Sequence, residues 1–446
     1  MKADWFLSRL AEWGDQPAIV ANEHATSYAD LRRRTQEWSE RLGQRGVGPG
    51  VVVAIEGAFG ARACAAFLAV MGLGGVVVPL TPLMRAHRDA FLAIAEVSLL
   101  VELSESGEPS LRELPNRAAN PLTLKLVERG HPGLVIFSSG STGSPKAILH
   151  DLSSILEKFR QRRQSKTTLT FLLFDHIGGV DTMLSTFGSG GCMVTVAERT
   201  PEQVAKAIER HRVHTLPTSP TFLNLLLISG LWAERDLSSL KVIAYGTEPM
   251  PASTLARLHE VFPNAALVQT YGMSELGVLR SRSRDSTSLW IKFAEEGFQT
   301  KVVDGVLWVK AETAMLGYLN APDLFDADGW LNTQDAVEVD GDYLRILGRA
   351  SDLINVGGQK VYPAEVENQL LGLENVEEVA VFGKPHPMMG QVVAARFNLK
   401  QPEPLDAFKR RMTAFCRQRL ARYQIPVFVE LARGDQFGAR FKKLRQ

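Results

Sequence analysis

The sequence predicts an α/β fold followed by a smaller α+β unit, on three observations. Short apolar strands alternate with amphipathic helices through the first third, the pattern that builds a mostly parallel sheet with helices packed on it. After about residue 290 the spacing changes to short strands of antiparallel type. The glycine- and charge-rich segment Gly348–Lys360 then precedes a last stretch with helices and strands of its own.

Taken in order, Tyr28–Leu42 has the helical period, with Leu31, Trp38 and Leu42 near one stripe. Gly46–Gly50 is a turn and Val51–Ile55 a buried strand. A helix over Ala61–Met71 and a strand over Val76–Val78 follow. The stretch Ala61–Leu80 is apolar, but Gly72, Gly74, Gly75 and Pro79 break it and Arg62 sits at its start, so it reads as helix, turn and strand and not as a membrane span. Leu134–Phe137 is a strand ending in a Ser/Gly loop, Thr200–His211 a helix, and Thr215–Leu216 the start of a strand. Val242–Tyr245 and Leu267–Thr270 are strands running into polar or glycine-bearing turns. Ligands gather at the carboxyl ends of strands in open α/β sheets, so the three loops after Phe137, Tyr245 and Thr270 are candidate pieces of one site.

Leu307–Val309, Ala336–Val339 and Tyr343–Ile346 read as antiparallel strands, the last two joined by Asp340-Gly341. Helix 363–371, strands 377–382 and 391–397, helix 405–420 and a basic tail make the last unit, which gives domains 1–349 and 350–446.

The composition suits a soluble globular chain: 446 residues, 45% hydrophobic and 22% charged. Fifty Lys and Arg against 49 Asp and Glu leave a net charge of +1, so no global field favours nucleic acid or anionic lipid. Cys64, Cys192 and Cys416 lie far apart with no metal-ligand spacing, which points to a reducing compartment, the cytoplasm. The N-terminus carries charges within its apolar stretch and is not a signal peptide.

Four segments could carry chemistry. Phe137–Ala147 (FSSGSTGSPKA) offers backbone N–H groups and hydroxyls that can wrap phosphate oxygens, with Lys146 as a point charge; a surface Ser/Gly turn is the plain alternative. Gln269–Glu275 (QTYGMSE) follows an apolar strand: Tyr271 can stack on a flat ring and Glu275 is a hard oxygen ligand for Mg²⁺, or the segment is a capped turn. Asp335, near Arg349, can accept both hydroxyls of a ribose, or the two are a surface ion pair. The tail Gly438–Arg445 (GARFKKLR) is basic, or merely solvated.

Their joint order is more telling than any one of them. With Tyr28-Ala-Asp-Leu31, Leu316-Gly-Tyr-Leu-Asn320, Gly-Trp-Leu-Asn-Thr-Gln-Asp335 and Gly348-Arg…Gly-Gly-Gln-Lys-Val-Tyr-Pro-Ala-Glu-Val-Glu367, the chain resembles the adenylate-forming superfamily over nearly its whole length. That group includes acyl-CoA synthetases, nonribosomal peptide synthetase adenylation domains and firefly luciferase. The resemblance implies a large N-terminal domain of doubly wound sheets plus a small β-barrel, and a small mobile C-terminal domain. It implies ATP and Mg²⁺, a carboxylic acid activated as its acyl-adenylate with release of pyrophosphate, and transfer to a thiol of CoA or of a carrier protein's phosphopantetheine.

By the same resemblance, Ser138, Ser139, Gly140, Ser141, Thr142, Gly143 and Lys146 hold the β/γ-phosphates. Gly246, Thr247 and Glu248 line the adenine side, and Gln269, Thr270, Tyr271 and Gly272 complete the slot. Ser274 meets the α-phosphate, Glu275 the Mg²⁺, and Asp335 the ribose, helped by Arg349 and flanked by Leu347. Lys442 bridges carboxylate and phosphate, and Ser351 is the hinge. His176 closes the acyl pocket with Asp175, Tyr245 and Gly246; Tyr245 would narrow it. Phe174-Asp-His-Ile-Gly-Gly179 follows the acyl and aryl branch, while Asp175 leaves an amino-acid substrate open. Three departures stand out: Phe441 replaces the glycine before Lys442, Lys443 adjoins that lysine and leaves the bridging role open between the two, and Gln334 replaces the glycine before Asp335. The chain is also short between Glu275 and Leu316, like compact stand-alone ligases that load acyl or peptidyl carrier proteins. Other readings are a stand-alone amino- or aryl-acid adenylation enzyme, a luciferase-type or amide-forming user of the adenylate, and a catalytically silent nucleotide-binding relative.

Overall fold

Strands separated by helices return to the same edge and pair in parallel, and two seven-stranded sheets result. The computed structural model describes residues 3–21, 24–104, 107–116, 119–139, 145–294, 297–432, 434, 437–438 and 441. In the first sheet Val52–Glu56, Val76–Leu80, Leu99–Glu102 and Gly133–Ser139 run parallel. Pro145–Asp151 then turns back antiparallel to Gly133–Ser139, so the Ser/Gly loop joins the two arms of a hairpin. Gly317–Tyr318 pairs on the far side of Pro145–Asp151.

The second sheet is ordered Ala266–Gln269, Val242–Tyr245, Thr215–Thr218, Thr167–Leu169, Cys192–Thr195, Pro17–Ala21 and His24–Ser27. Only the last strand is antiparallel. Past the exposed Arg62 in its first turn, the helix Ala61–Gly72 is apolar all round and buries nine residues, Ala63 to Met71. It packs with Ile177–Gly188 in the largest core cluster. Among the described residues, no helix is long and apolar enough to cross a membrane.

The strands expected to make a small barrel form a six-stranded antiparallel sheet, and the short hairpin Tyr271–Met273/Gly277–Leu279 stands beside it. Leu331–Asp340 and Tyr343–Arg349 pair across the Asp340–Tyr343 turn, which places Asp335 opposite Arg349. Past the 3-10 turn Ala350–Asp352, five strands and the helices Pro363–Leu370 and Leu405–Arg417 bury a cluster of their own, with Val366, Phe397, Phe408 and Met412 at its centre.

Candidate active site

Two adjacent parallel strands, Val242–Tyr245 and Ala266–Gln269, end side by side, and their turns open into one cleft of about 260 Å³. Gly246, Thr247, Glu248, Gln269, Thr270, Tyr271, Gly272, Asp335, Leu347 and Arg349 line it, together with Asp352, Tyr362, Pro363 and Ala364 from beyond residue 350. The close approach needs glycine: a Cβ on Gly246 would lie 2.6 Å from the Thr270 hydroxyl and 2.8 Å from its carbonyl oxygen. Thr270 in turn donates its N–H to the Tyr245 carbonyl at 2.7 Å, locking the two turns together.

Asp335 is the best-supported carboxylate here. It is 8% exposed. The Tyr271 hydroxyl donates to its Oδ2 at 2.6 Å, and Arg349 Nε meets its Oδ1 at 3.0 Å. Thr333, fully buried, sets the turn: its hydroxyl donates to the Leu307 carbonyl at 2.7 Å and accepts the Asp335 N–H at 3.1 Å, while its carbonyl takes Arg349 Nη1 at 3.1 Å. Burial and the Asp335 charge hold the Tyr271 phenol well above its ordinary pKa, so it remains a donor across the working range. Tyr271 also lines the cleft. It is 7% exposed with an edge contact to Phe293 at 5.4 Å, and its hydroxyl supports Asp335. Gln334, at the position where the resembling family has glycine, takes φ +60°. That left-handed conformation costs a side-chain-bearing residue about 1–2 kcal/mol.

Glu275 sits in the tight turn after Met273 and is held at its side chain and its carbonyl, with a third contact on the residue before it. The Tyr318 hydroxyl donates to its Oε1 at 2.7 Å, the Met315 N–H to its carbonyl at 2.7 Å, and His150 Nε2 meets the neighbouring Ser274 carbonyl at 2.7 Å. Lys146 Nζ lies 5.1 Å from the centre of the Tyr318 ring, so this one phenol stands between the candidate phosphate cation and the candidate metal carboxylate. Asn320 clamps the same hairpin: it accepts from Ala147 N–H and donates to the Pro145 carbonyl, both at 2.9 Å. His150 is fully buried, and burial pulls its pKa down to about 4, so the ring is neutral near pH 7 and donates through Nε2. Ser138 pairs in register with Lys146. Gly140, Ser141, Thr142 and Gly143, and the Ser139 side chain, lie outside the described residues.

Glu248 on the adenine side and the acid-side candidates are engaged by other parts of the fold. Glu248 turns its carboxylate to the Thr221 N–H at 2.8 Å, at the start of the helix Pro220–Ser229. Asp175 is buried and accepts the Thr81 hydroxyl at 3.2 Å. His176 caps the helix Ile177–Gly188, its Nδ1 accepting the Gly178 N–H at 3.0 Å, which leaves the proton of a neutral ring on Nε2. Neither Asp175 nor His176 lines the cleft. Tyr245 is buried at the end of its strand, and its hydroxyl has no hydrogen-bond partner among the described residues.

At the C-terminal side, Ser351 lies in the exposed 3-10 turn between the antiparallel sheet and the last unit. Phe441 is part-buried against the helix Pro220–Ser229, and Lys442 and Lys443 lie outside the described residues. Sequence reasoning missed Tyr318, Asn320, Thr333, His150 and the Tyr362–Ala364 edge. Tyr318 and Asn320 stood within Leu316–Asn320, and Thr333 directly before Gln334-Asp335; their buried polar partners are what single them out. His150 carried no sequence signal beyond following the Ser/Gly loop.

Cleft, hairpin and paired turns make a candidate ligand site at the strand ends of an α/β fold, and the sequence comparisons say which family carries it. Residues 6–319 match the family model for AMP-binding enzyme, and residues 365–436 that for the AMP-binding enzyme C-terminal domain. The chain belongs to the AMP-binding enzyme family. It is 30% identical over 468 aligned positions to a feruloyl-CoA synthase of an Amycolatopsis species, covering 96% of this chain and 94% of that protein. It is 26% identical to the long-chain-fatty-acid–CoA ligase FadD13 of Mycobacterium tuberculosis, covering 90% and 88%. The crystal structure of the anthranilate CoA ligase AuaEII in complex with anthranoyl-AMP shares the fold, with a TM-score of 0.84 at 21% identity, over 98% of this chain and 95% of that one.

Proposed function

We propose that the cleft binds ATP and that the chain is an AMP-forming acid–thiol ligase. A substrate carboxylate oxygen attacks the α-phosphorus, the bond to pyrophosphate breaks, and an acyl-adenylate forms. A thiol then attacks the acyl carbon and AMP leaves. The observation that carries this reading is the convergence of Gly246–Glu248, Gln269–Gly272, Asp335 and Arg349 on one cleft. In it, Asp335 is already oriented by Tyr271 and Arg349, ready to accept a ribose diol.

Charge on the transferring phosphoryl group has to be neutralised. Lys146 and the Ser/Gly loop are suited to the outer phosphates, and Lys442 to the carboxylate and α-phosphate. The site also suits Mg²⁺. Glu275 offers one hard carboxylate whose direction Tyr318 sets, and Mg²⁺ is commonly held by one or two carboxylates with phosphate oxygens and water. Bound there, the ion would offset phosphate charge. The separate core beyond residue 350 supports domains 1–349 and 350–446 with Ser351 between them. We favour an acid without an α-amino group, because Phe174-Asp-His-Ile-Gly-Gly179 follows the acyl and aryl branch. CoA is the first acceptor to test and a carrier-protein phosphopantetheine the second. A reaction fed by ATP and CoA calls for the cytoplasm.

The test is ATP–pyrophosphate exchange across fatty, aryl and amino acids, repeated with CoA. Exchange with one acid class and a CoA thioester in the second step are expected. Nucleotide binding without exchange for any acid would replace this reading with that of a silent relative.

A further inference from the structure

Residue 441 is a phenylalanine where the resembling family has glycine, and its backbone keeps the glycine-like conformation, with φ +52°. A bulky residue persists there only if its surroundings hold it. The ring centre lies 5.3 Å from that of Phe171 and 5.6 Å, edge to face, from that of Phe222. Phe437 stacks on it at 5.2 Å, and the Arg199 guanidinium lies 5.2 Å from the ring centre. Phe171 follows the strand Thr167–Leu169 and Phe222 sits in the helix Pro220–Ser229, so the ring joins the core of the second sheet.

The main chain is held at the same point. The Ser219 hydroxyl donates to the Phe441 carbonyl at 2.9 Å, and the Phe441 N–H closes a turn to the Gly438 carbonyl at 2.8 Å. Ser219 is 1% exposed and also caps the helix Pro220–Ser229, accepting the Phe222 N–H at 3.2 Å. One buried hydroxyl therefore ties the strand end, the helix start and the tail together. The next residue in the chain is Lys442.

We propose that Phe441 is a positioning residue for adenylation: its ring, seated between Phe171, Phe222 and Arg199, anchors the C-terminal tail on the large unit and so sets the lysine that follows. The inference rests on the ligase reading above, with Lys442 as the bridging cation. Undocking exposes three apolar rings, so the ring favours the seated tail and opposes its release. A glycine at this position would bend the chain equally well but would hold nothing.

The experiment measures the two half-reactions separately in Phe441→Ala, Phe441→Gly and Phe441→Tyr. The alanine and glycine variants are expected to slow pyrophosphate exchange at least tenfold, while thioester formation from supplied acyl-adenylate stays within twofold or rises. The tyrosine variant, which keeps a ring, restores exchange. Wild-type exchange in Phe441→Gly, or an equal fall in both half-reactions, overturns the proposal. A second measurement needs no substrate: trypsin cleavage after Arg440, Lys442 and Lys443, followed by intact mass, is expected to run at least fivefold faster in Phe441→Ala than in wild type. Equal cleavage rates overturn the anchor. A wild-type protein that exchanges with no acid overturns the ligase reading instead, and the trypsin comparison then decides the anchor by itself.

Discussion

Replacing Tyr271 with phenylalanine removes one oxygen atom, the donor 2.6 Å from Asp335 Oδ2, and leaves the ring in its contact with Phe293. Asp335 is 8% exposed, so little water can take the donor's place. A hydrogen bond to a charged group contributes about 1.5–3 kcal/mol. Arg349 still meets the other oxygen, but its side chain is 44% exposed and holds the carboxylate from one side only. The loss divides between fold and site. With the unfolding entropy of a 446-residue chain, a thermal midpoint lower by roughly 2–3 °C is expected for a loss of this size. If half of the loss falls on ribose binding, KM for ATP rises about tenfold, since about 1.4 kcal/mol is a factor of ten, with kcat nearly unchanged. The assay is pyrophosphate exchange with ATP and with 2′,3′-dideoxy-ATP. Wild type should favour ATP strongly, and Tyr271→Phe should narrow that preference. A lowered midpoint with an unaltered KM for ATP and an unaltered preference would refute the assignment of Asp335 to the ribose, leaving the triad a purely structural one.

Other substitutions test neighbouring parts of the site. Gln334→Gly relieves a φ of +60° on an exposed side chain; after allowing for glycine's unfolded-state entropy the gain is about 0.5–1 kcal/mol, read as a slightly higher thermal midpoint, and a lower midpoint would contradict it. His150 is held near pKa 4, below the ordinary value of 6.5, so between those values the unfolded chain binds a proton that the folded chain refuses. Its contribution to stability is therefore complete above pH 6.5 and falls by up to about 3 kcal/mol as pH drops to 4. His150→Gln should flatten the profile of midpoint against pH over that window, and parallel profiles would show that the ring does not titrate as its burial demands. Lys442→Ala should abolish most pyrophosphate exchange yet spare thioester formation from supplied acyl-adenylate; if Lys443→Ala does this instead, the bridging cation is the next residue along.

The elements that short-range periodicity can encode are legible in the amino-acid sequence alone. The helix Tyr28–Gly43 and the largely apolar helix Ala61–Gly72 with its following strand fall within a residue or two of their expected bounds, and the Asp340–Tyr343 turn joins the strands expected there, which run longer, Leu331–Asp340 and Tyr343–Arg349. Each depends on side chains a few positions apart, which a sequence displays directly. Ten of the residues assigned to the nucleotide by motif also meet in one cleft, because those motifs sit at strand ends and glycines there allow close approach. Tertiary structure decided the rest. Tyr271 reaches Asp335 across 64 positions, Tyr318 reaches Glu275 across 43, and Asn320 clamps Pro145 across 175. Asp175 faces Thr81, and His176 caps its own helix, although both types of residue are equally able to serve a substrate. No local pattern carries such pairings. They follow from which strand lies beside which in the sheets, and that order is settled only when the apolar faces of distant segments are buried together.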